Sequence, residues 1–305
     1  MQNIVLERSH AKSWASFQIM PEIIRTVADI RALTNTWRLQ CLKVGLVATM
    51  GALHKGHLSL IHHATTECDK VIVSIFVNPK QFSAREDLET YPRNEERDLA
   101  ALETFDVSIA YAPPVQEIYD EDFATRIEVG HLTECMCGTA RPGFFSGVAT
   151  VVAKLLNQCV PHRAYFGEKD YQQLLVIRQL VKDLNIPTEI VGCPIIRDKN
   201  GLALSSRNSY LNSQQRQVAT ALFGTLQEAA SNLIKGAHSR EVEKWAVNTL
   251  KIAGFDTVEY VDVRDGLTLE KTDGIYESKR SARIFGAATL GCARLIDNVP
   301  VEVNT

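Results

Sequence analysis

The first two-thirds of the chain alternates short apolar runs with amphipathic segments. VGLVATM (44–50) is a near-continuous apolar run of the kind expected for a strand covered on both faces, and VIVSIFV (71–77) is rich in β-branched residues. Shorter strands are predicted at 106–113, 163–167 and 188–194. Segments of helical periodicity separate the strands, at 58–68, 147–159 and 170–185. This alternation predicts an α/β fold, in which a parallel sheet carries helices on both faces.

The pattern changes after about residue 196. Two amphipathic helices follow each other at 213–236 and 239–254, and Gly254 is placed to end the second. β-Like segments come next, at 258–265 and 282–296. Helices followed by strands predict a smaller α+β unit.

These patterns divide the chain into three parts. We predict a Rossmann-like nucleotide-binding domain over residues 21–195 and a C-terminal α+β domain over residues 196–305. Residues 1–20 have no clear periodicity, and a helix-like pattern begins only near Pro21, so we interpret them as an N-terminal extension.

Composition narrows the classes of function. The chain has 305 residues, of which 45% are apolar and 23% charged, as in soluble globular proteins. Its formal net charge of -3 favours neither nucleic acid nor an anionic membrane surface as a partner. No apolar run is long enough to cross a membrane, and no signal peptide is apparent, so we expect a cytoplasmic protein.

The cysteines do not form a recognisable metal or disulfide pattern. Seven are scattered along the chain, and only Cys135 and Cys137 lie close together. A C-x-C pair without a second pair is a poor zinc template, so we interpret the cysteines as thiols in a reducing compartment.

The stretch TMGALHKGH (49–57) follows the first long strand. In parallel sheets, ligands bind at the carboxyl ends of the strands, where this stretch is predicted to lie. Gly51 permits a tight turn, and Gly56 permits close approach of a ligand to the backbone. A helix starting near His57 would direct free N–H groups at an anion, and His54 and His57 would add charge-assisted hydrogen bonds to phosphate.

Two other interpretations of these histidines are open. A metal site needs more ligands, and no H-E-x-x-H arrangement is present. Both histidines would also suit the surface of an ordinary turn. The strand–Gly–His–Gly–His–helix context favours phosphate binding over either alternative.

Three further stretches carry suitable chemistry. The next strand ends in VNPKQF, where the amides of Asn78 and Gln81 suit a carboxylate or hydroxyl, although a plain loop explains them equally well. In GEKDYQQ (167–173), Lys169 at a helix start opposes the helix dipole unless an anion binds there. In NGLALSSRNSYL (200–211), two hydroxyls precede an arginine, a weak signal alone but one that suits phosphate.

Together the four stretches indicate a site for nucleotidyl transfer, a reaction in which positioning and charge stabilisation supply most of the rate. The chain contains no G-x-x-x-x-G-K-[ST] sequence, which disfavours a P-loop kinase, and no G-x-G-x-x-G, which disfavours a dinucleotide oxidoreductase.

These residues resemble a known family. TMGALHKGH is similar to the H-x-G-H signature of the nucleotidylyltransferase superfamily. SIFVNPKQF, YPRN, RPGFFSGVATVVAKL, FGEKDYQQL, GLALSSRNSYL and ARLIDN, in this order, resemble the pantothenate synthetase (pantoate–β-alanine ligase) family from about residue 20 to the end. The resemblance implies that ATP and Mg²⁺ convert pantoate to pantoyl adenylate, which β-alanine attacks to give pantothenate and AMP. It also implies a homodimer.

The resemblance assigns roles to individual residues. It implies a catalytic role for His54, His57, Lys169, Ser205, Ser206 and Arg207, with His57 as proton donor. It implies ATP binding by Met50, Gly51, Ala52, Leu53, His54, Lys55, Gly56, His57, Gly167, Glu168, Lys169, Asp170, Ile196, Leu204, Ser205, Ser206 and Arg207. It implies substrate binding by Gln81 and Gln173, to which we add Asn78 from its place after the strand, and we predict no metal ligands from the protein. The segment from Leu204 to Arg207 would be mobile, like the KMSKS loop of class I aminoacyl-tRNA synthetases.

The chain departs from the family pattern at three positions. Ala48 replaces a proline before T-M-G, and Phe144 and Ser146 replace the histidine and second arginine of R-P-G-H-F-R-G. The principal motif residues are all present, so the sequence predicts an active enzyme. Two rival functions share part of the pattern: transfer of AMP or CMP to a phosphorylated acceptor, and nucleotide binding without catalysis.

Overall fold

A six-stranded parallel sheet is the larger of two sheets in the computed structural model, which describes residues 20–83, 88–276 and 281–302. Its strands are β1 (Glu22–Ile24), β2 (Val44–Thr49), β3 (Lys70–Ile75), β4 (Ile109–Tyr111), β5 (Arg163–Gly167) and β6 (Glu189–Cys193). They lie in the order β1-β4-β3-β2-β5-β6, and every pair is parallel.

Helices cover both faces of this sheet. The helices of the described residues are α1 (Val27–Leu39), α2 (Lys55–Glu67), α3 (Glu95–Leu102), α4 (Val115–Ile118), α5 (Cys137–Ala140), α6 (Phe144–Cys159), α7 (Tyr171–Asp183), α8 (Ser213–Ile234) and α9 (Ser239–Ala253). Leu46 of β2 packs in a buried cluster with residues of α1, α6 and α7, whereas the adjacent Val47 packs in a separate cluster with residues of α2 and α3. Because successive side chains of a strand point to opposite faces, these two clusters are the two faces of the sheet. The predicted α/β architecture is confirmed.

The strand order reverses between β2 and β5. From β2 the chain builds β3 and β4 on one side, and then returns to place β5 and β6 on the other. β2 and β5 pair directly, with Leu46 opposite Ala164 and Val47 opposite Tyr165. Their connections leave in opposite directions, which opens a crevice at their carboxyl ends.

The second sheet is antiparallel and lies in the C-terminal part of the chain. Its strands β7 (Thr257–Asp265), β8 (Ala282–Leu290) and β9 (Ala293–Val301) lie in that order, and α8 and α9 pack against it. Leu226, Leu250 and Ile284 are fully or almost fully buried in the cluster between helices and sheet. The smaller C-terminal α+β unit is confirmed, whereas the domain boundary at residue 195 stays a prediction.

The structure differs from the predicted elements at both ends of the chain. Near Pro21 the chain forms the strand β1 instead of a helix, and the helix α1 begins only after Thr26, whose side chain accepts a hydrogen bond from the Asp29 N–H. β1 has only three residues, too few to show the alternation of a strand in the sequence. Its conformation comes from pairing with β4. The segment 282–296 divides into β8 and β9 because Gly291, at φ 57°, turns the chain back. Residues 1–19 of the predicted extension lie outside the described residues.

One close approach in the fold can be tested by substitution. A Cβ on Gly147 of α6 would overlap the Lys80 carbonyl in the turn Pro79–Gln81, whereas a Cβ on Gly224 of α8 would meet no atom within 4 Å. We therefore expect Gly147→Ala to lower the free energy of unfolding by about 1–3 kcal/mol. The control Gly224→Ala should raise it by about 0.5–1 kcal/mol, because alanine favours the helix. Urea denaturation measures both, and changes of the same sign would contradict the predicted overlap.

Candidate active site

A cleft lies at the carboxyl ends of the parallel strands, at the reversal of strand order. Most of the residues predicted from the sequence line it: Met50, His54, Gly56, His57, Asn78, Gln81, Gly167, Lys169, Asp170, Gln173, Ile196, Leu204, Ser205, Ser206 and Arg207. Among the described residues, those predicted to bind ATP that do not line it are Gly51, Ala52, Leu53, Lys55 and Glu168. The fold therefore brings the four chemical stretches together.

The turn after β2 is held by a carboxylate of α3. Gly51 and Ala52 have positive φ angles of 75° and 50°. The carboxylate of Asp98, which is 3% exposed, accepts hydrogen bonds from the N–H of Ala52 (2.9 Å) and the N–H of Leu53 (2.7 Å). These two N–H groups therefore face Asp98 and not the cleft. Asp98 was not predicted as a site residue, because its only signal in the sequence is its place in the first turn of α3.

The two histidines lie at the start of α2, which begins at Lys55, two residues earlier than predicted. His54 is the N-cap residue, and its Nδ1 accepts a hydrogen bond from the Gly56 N–H (3.1 Å). The rings of His54 and His57 stack with their centroids 4.1 Å apart. The Nδ1 of His57 is shielded from solvent and has no hydrogen-bond partner among the described residues.

Both imidazoles are neutral at pH 7. Burial, followed by the nearby Lys169 ammonium, lowers the pKa of His54 to about 4. Burial, the neighbouring His54 and Lys169 lower the pKa of His57 to about 3. The positive charge beside the two rings is therefore on Lys169, and the charge-assisted hydrogen bonds from histidine to phosphate stay a prediction.

The amides after β3 are held by one another. Asn78 is 1% exposed and caps the turn Pro79–Gln81, and its Nδ2 donates to the Gln81 Oε1 (3.0 Å) and the Gly147 carbonyl (3.1 Å). Its Oδ1 accepts from the Tyr119 hydroxyl (2.9 Å). The Gln81 Nε2 in turn lies 2.9 Å from the Met50 Sδ. This chain of contacts holds the Gln81 side chain in the cleft wall.

The segment after β5 forms a short 3₁₀ turn over Glu168–Asp170. The Lys169 ammonium lies 3.7 Å from the Asp170 carboxylate, and both side chains line the cleft. The Glu168 carboxylate instead lies 3.8 Å from the Arg283 guanidinium, away from the cleft lining. Gln173 enters the cleft from the first turn of α7.

The Ser-Ser-Arg segment reaches the cleft from the C-terminal side. The Ser206 hydroxyl donates to the Ala52 carbonyl (3.3 Å), so this segment contacts the turn after β2. The Ser205 Oγ accepts from the Arg207 N–H (3.3 Å). The Arg207 guanidinium lies 5.8 Å from the centre of the Tyr91 ring.

The remaining wall comes from α6 and the residues before it. Val148, Val151, Val152 and Leu155 form an apolar surface, whereas the sequence predicted only helical periodicity over 147–159. Arg141 was not among the predicted site residues, and its guanidinium stacks 3.7 Å from the centre of the Phe144 ring in the cleft wall. The two α6 residues that depart from the family pattern therefore lie in different places: Phe144 lines the cleft and Ser146 does not. The Ser146 hydroxyl donates to the Ile127 carbonyl (2.9 Å), outside the cleft lining.

Neither a metal-binding cluster nor a membrane-spanning helix occurs among the described residues. No three histidine, cysteine, aspartate or glutamate side chains come close enough to hold a metal ion. No helix within the described ranges is both long and apolar enough to span a bilayer.

Comparison with known proteins gives a consistent result. The family model for pantoate–β-alanine ligase matches residues 22–300. Pantothenate synthetases from Roseobacter denitrificans and Rhodospirillum rubrum are each 47% identical to this chain, over 92% of it and 98% of their own length.

Two solved structures are also similar. The pantothenate synthetase of Thermus thermophilus superposes with a TM-score of 0.85 at 42% identity, covering 92% of this chain and 100% of that one. The pantoate–β-alanine ligase of Francisella tularensis, complexed with beta-gamma ATP and β-alanine, gives a TM-score of 0.78 at 36% identity, covering 93% and 99%. From its fold, its cleft and these relatives, the chain belongs to the pantoate–β-alanine ligase family and is an ATP-dependent ligase of pantoate and β-alanine.

Proposed function

We propose that the ligation proceeds in this cleft in two steps, through a pantoyl adenylate. One observation carries the proposal: several segments line one cleft where the strand order of the sheet reverses. They are His54–His57, Lys169–Asp170 and Ser205–Arg207, together with the amides of Gln81 and Gln173. Cationic and hydroxyl groups suit the phosphates of ATP, and neutral amides beside an apolar wall suit pantoate.

In the first step, a carboxylate oxygen of pantoate attacks the α-phosphorus of ATP, and pyrophosphate leaves. The attack brings anions together, so fixed positive charge must offset the repulsion. Lys169 and Arg207 supply this charge, and the hydroxyls of Ser205 and Ser206 donate to phosphate oxygens. His57 donates a hydrogen bond from its neutral ring to the developing charge, and His54 contacts phosphate through a neutral N–H.

In the second step, the neutral amine of β-alanine attacks the acyl carbon of the adenylate, AMP leaves with the carbon–oxygen bond electrons, and the nitrogen loses one proton to solvent to give the amide. Gln81 and Gln173 hold the pantoyl group during both steps. Asn78 acts through Gln81, since its amide hydrogens already contact Gln81 and Gly147. The adenylate needs protection from water, which closure of the Leu204–Arg207 segment would provide.

Mg²⁺ enters this proposal as part of the MgATP substrate. Asp170 is the carboxylate among the described residues lining the cleft. Mg²⁺ is commonly held by phosphate oxygens and water with one or two protein carboxylates. This donor set fits a metal ion that arrives and departs with the nucleotide. We further propose a homodimer, as the family resemblance implies, and a cytoplasmic location, as expected from the sequence.

The proposed sequence of steps can be tested by an assay with ATP, Mg²⁺, pantoate and β-alanine. We expect ATP–pyrophosphate exchange with pantoate alone, and AMP release that requires both organic substrates. If the complete mixture released AMP but ATP–pyrophosphate exchange failed to occur with pantoate alone, the adenylate intermediate would be contradicted. Pyrophosphate release that requires a phosphorylated acceptor would indicate a nucleotidyltransferase, and ATP binding without turnover would indicate a silent regulator.

The role of His57 can be tested against a histidine on the same helix. We expect His57→Ala to lower the rate of adenylate formation by about 100-fold or more, because removal of a positioned donor has an effect of this size. His62→Ala is the control, since His62 is exposed on α2 and lies outside the cleft lining. Circular dichroism checks the fold of both variants, and a fully active His57→Ala enzyme would exclude the role.

The low pKa of His57 predicts a dependence of stability on pH. In the folded protein the pKa is about 3, whereas the ordinary value is 6.5. The unfolded chain therefore binds a proton first as pH falls below 6.5, and the stability due to the neutral ring is progressively lost toward pH 3. Across this window we expect the free energy of unfolding of wild type to fall by up to about 1.4 kcal/mol per pH unit more than that of His57→Gln. Urea denaturation at pH 6.5 and 4.5 measures the difference, and identical slopes would contradict the predicted shift.

A further inference from the structure

Two consecutive buried residues of β9 hold two segments of the proposed site from opposite sides. Asp297 and Asn298 are 4% and 2% exposed, and they pair across the sheet with Gly286 and Phe285. Successive side chains of a strand point to opposite faces. Gly286 faces α8, because an added Cβ would meet Leu222, while Asn298 reaches the parallel-sheet side. Neither residue lines the cleft.

Asn298 holds the segment that carries Lys169. Its Nδ2 donates to the carbonyls of Glu168 (2.9 Å) and Lys169 (3.1 Å), and its Oδ1 accepts a hydrogen bond from Arg283. The Arg283 guanidinium also stacks 3.8 Å from the centre of the Tyr171 ring, at the start of α7. The backbone beneath the Lys169 side chain is therefore anchored to the second sheet.

Asp297 holds the segment that precedes Ser205–Arg207. Its carboxylate accepts two hydrogen bonds from the Arg197 guanidinium, at 2.5 and 2.8 Å. Arg197 also donates to the Gly201 carbonyl (3.1 Å) and pairs with Ala203 across a short hairpin that leads directly into the Ser-Ser-Arg segment. The ion pair is largely buried, with side-chain exposures of 17% and 3%.

The net stability of a buried ion pair is small, because desolvation opposes the attraction between the charges. The geometric effect is larger, since a bidentate arginine–carboxylate pair fixes both the distance and the angle between two chain segments. The Asn298 contacts are similarly directional, because each amide hydrogen meets a separate carbonyl.

We propose that Asp297 and Asn298 are positioning residues that set the spacing between Lys169 and the Ser205–Arg207 segment across the triphosphate of ATP. This inference rests on the proposed function of those residues in binding phosphate. Because the two side chains leave adjacent points of one strand, the spacing between the two phosphate-binding segments is set by a single peptide unit.

The first test compares steady-state constants of three variants. Asn298→Asp keeps the size of the side chain and removes both donors, Asp297→Asn removes the charge facing Arg197, and Asp262→Asn is the control. Asp262 lies on β7 of the same sheet with a side-chain exposure of 15%, and its described ion pairs are with Arg264 and Lys271, which belong to neither segment. We expect the first two variants to raise KM for ATP about 10- to 100-fold with little change in KM for pantoate. The control should stay within about twofold. Equal effects on both KM values, or no effect on either, would overturn the proposal.

The second test asks whether Asn298 acts through Lys169. The affinity for a non-hydrolysable ATP analogue is measured by calorimetry for wild type, Asn298→Asp, Lys169→Ala and the double variant. We expect Asn298→Asp to weaken binding about tenfold in wild type and to have almost no effect once Lys169 is replaced, because coupled residues are not additive. The same loss in both backgrounds would overturn the positioning role. These binding measurements need no turnover. A wild-type enzyme that makes no AMP would therefore refute the proposed function, while the four affinities would still test the positioning role.

Discussion

The pairing of β2 with β5 is the constraint on which the rest of the site depends. These neighbours belong to different halves of the sheet, and their parallel register places the turn carrying His54 beside the turn carrying Lys169. Each turn would be a mobile loop if it stood alone at the end of a strand. The structure fixes both with buried polar groups from elsewhere, Asp98 for the first and Asn298 for the second. Hydrogen bonds from buried side chains to the backbone thus supply the geometry, and the side chains that line the cleft supply the chemistry.

Much of the fold is encoded locally and was therefore predictable. The strands β2 and β3 are buried on both faces, so their apolar runs are near-continuous, and Gly51 stands where the chain needs a positive φ angle. β1 was not predictable in this way, because its strand character comes from β4. The start of α2 was misplaced by two residues because His54 caps it, and histidine is not a usual cap.

The candidate site was predictable only in part, and for a similar reason. Residues that face a ligand occur in short stretches of recognisable chemistry, such as the two histidines and the Ser-Ser-Arg segment. Residues that hold those stretches in place act across long separations in sequence, as Asp98 and Arg197 do. The neutral state of His54 and His57 likewise follows from burial and from Lys169, which a linear sequence does not place beside them. An anion bound in the cleft would oppose the effect of Lys169 and make these rings easier to protonate.

The contact between Asn298 and the backbone of Lys169 has a consequence for the order of folding. The two residues are 129 positions apart, and Asn298 lies in the last strand of the described chain. Contacts of such separation form late in folding, since their loop-closure cost precedes their stabilisation. We therefore expect the local turns and the helices to form before this contact fixes the backbone beneath Lys169.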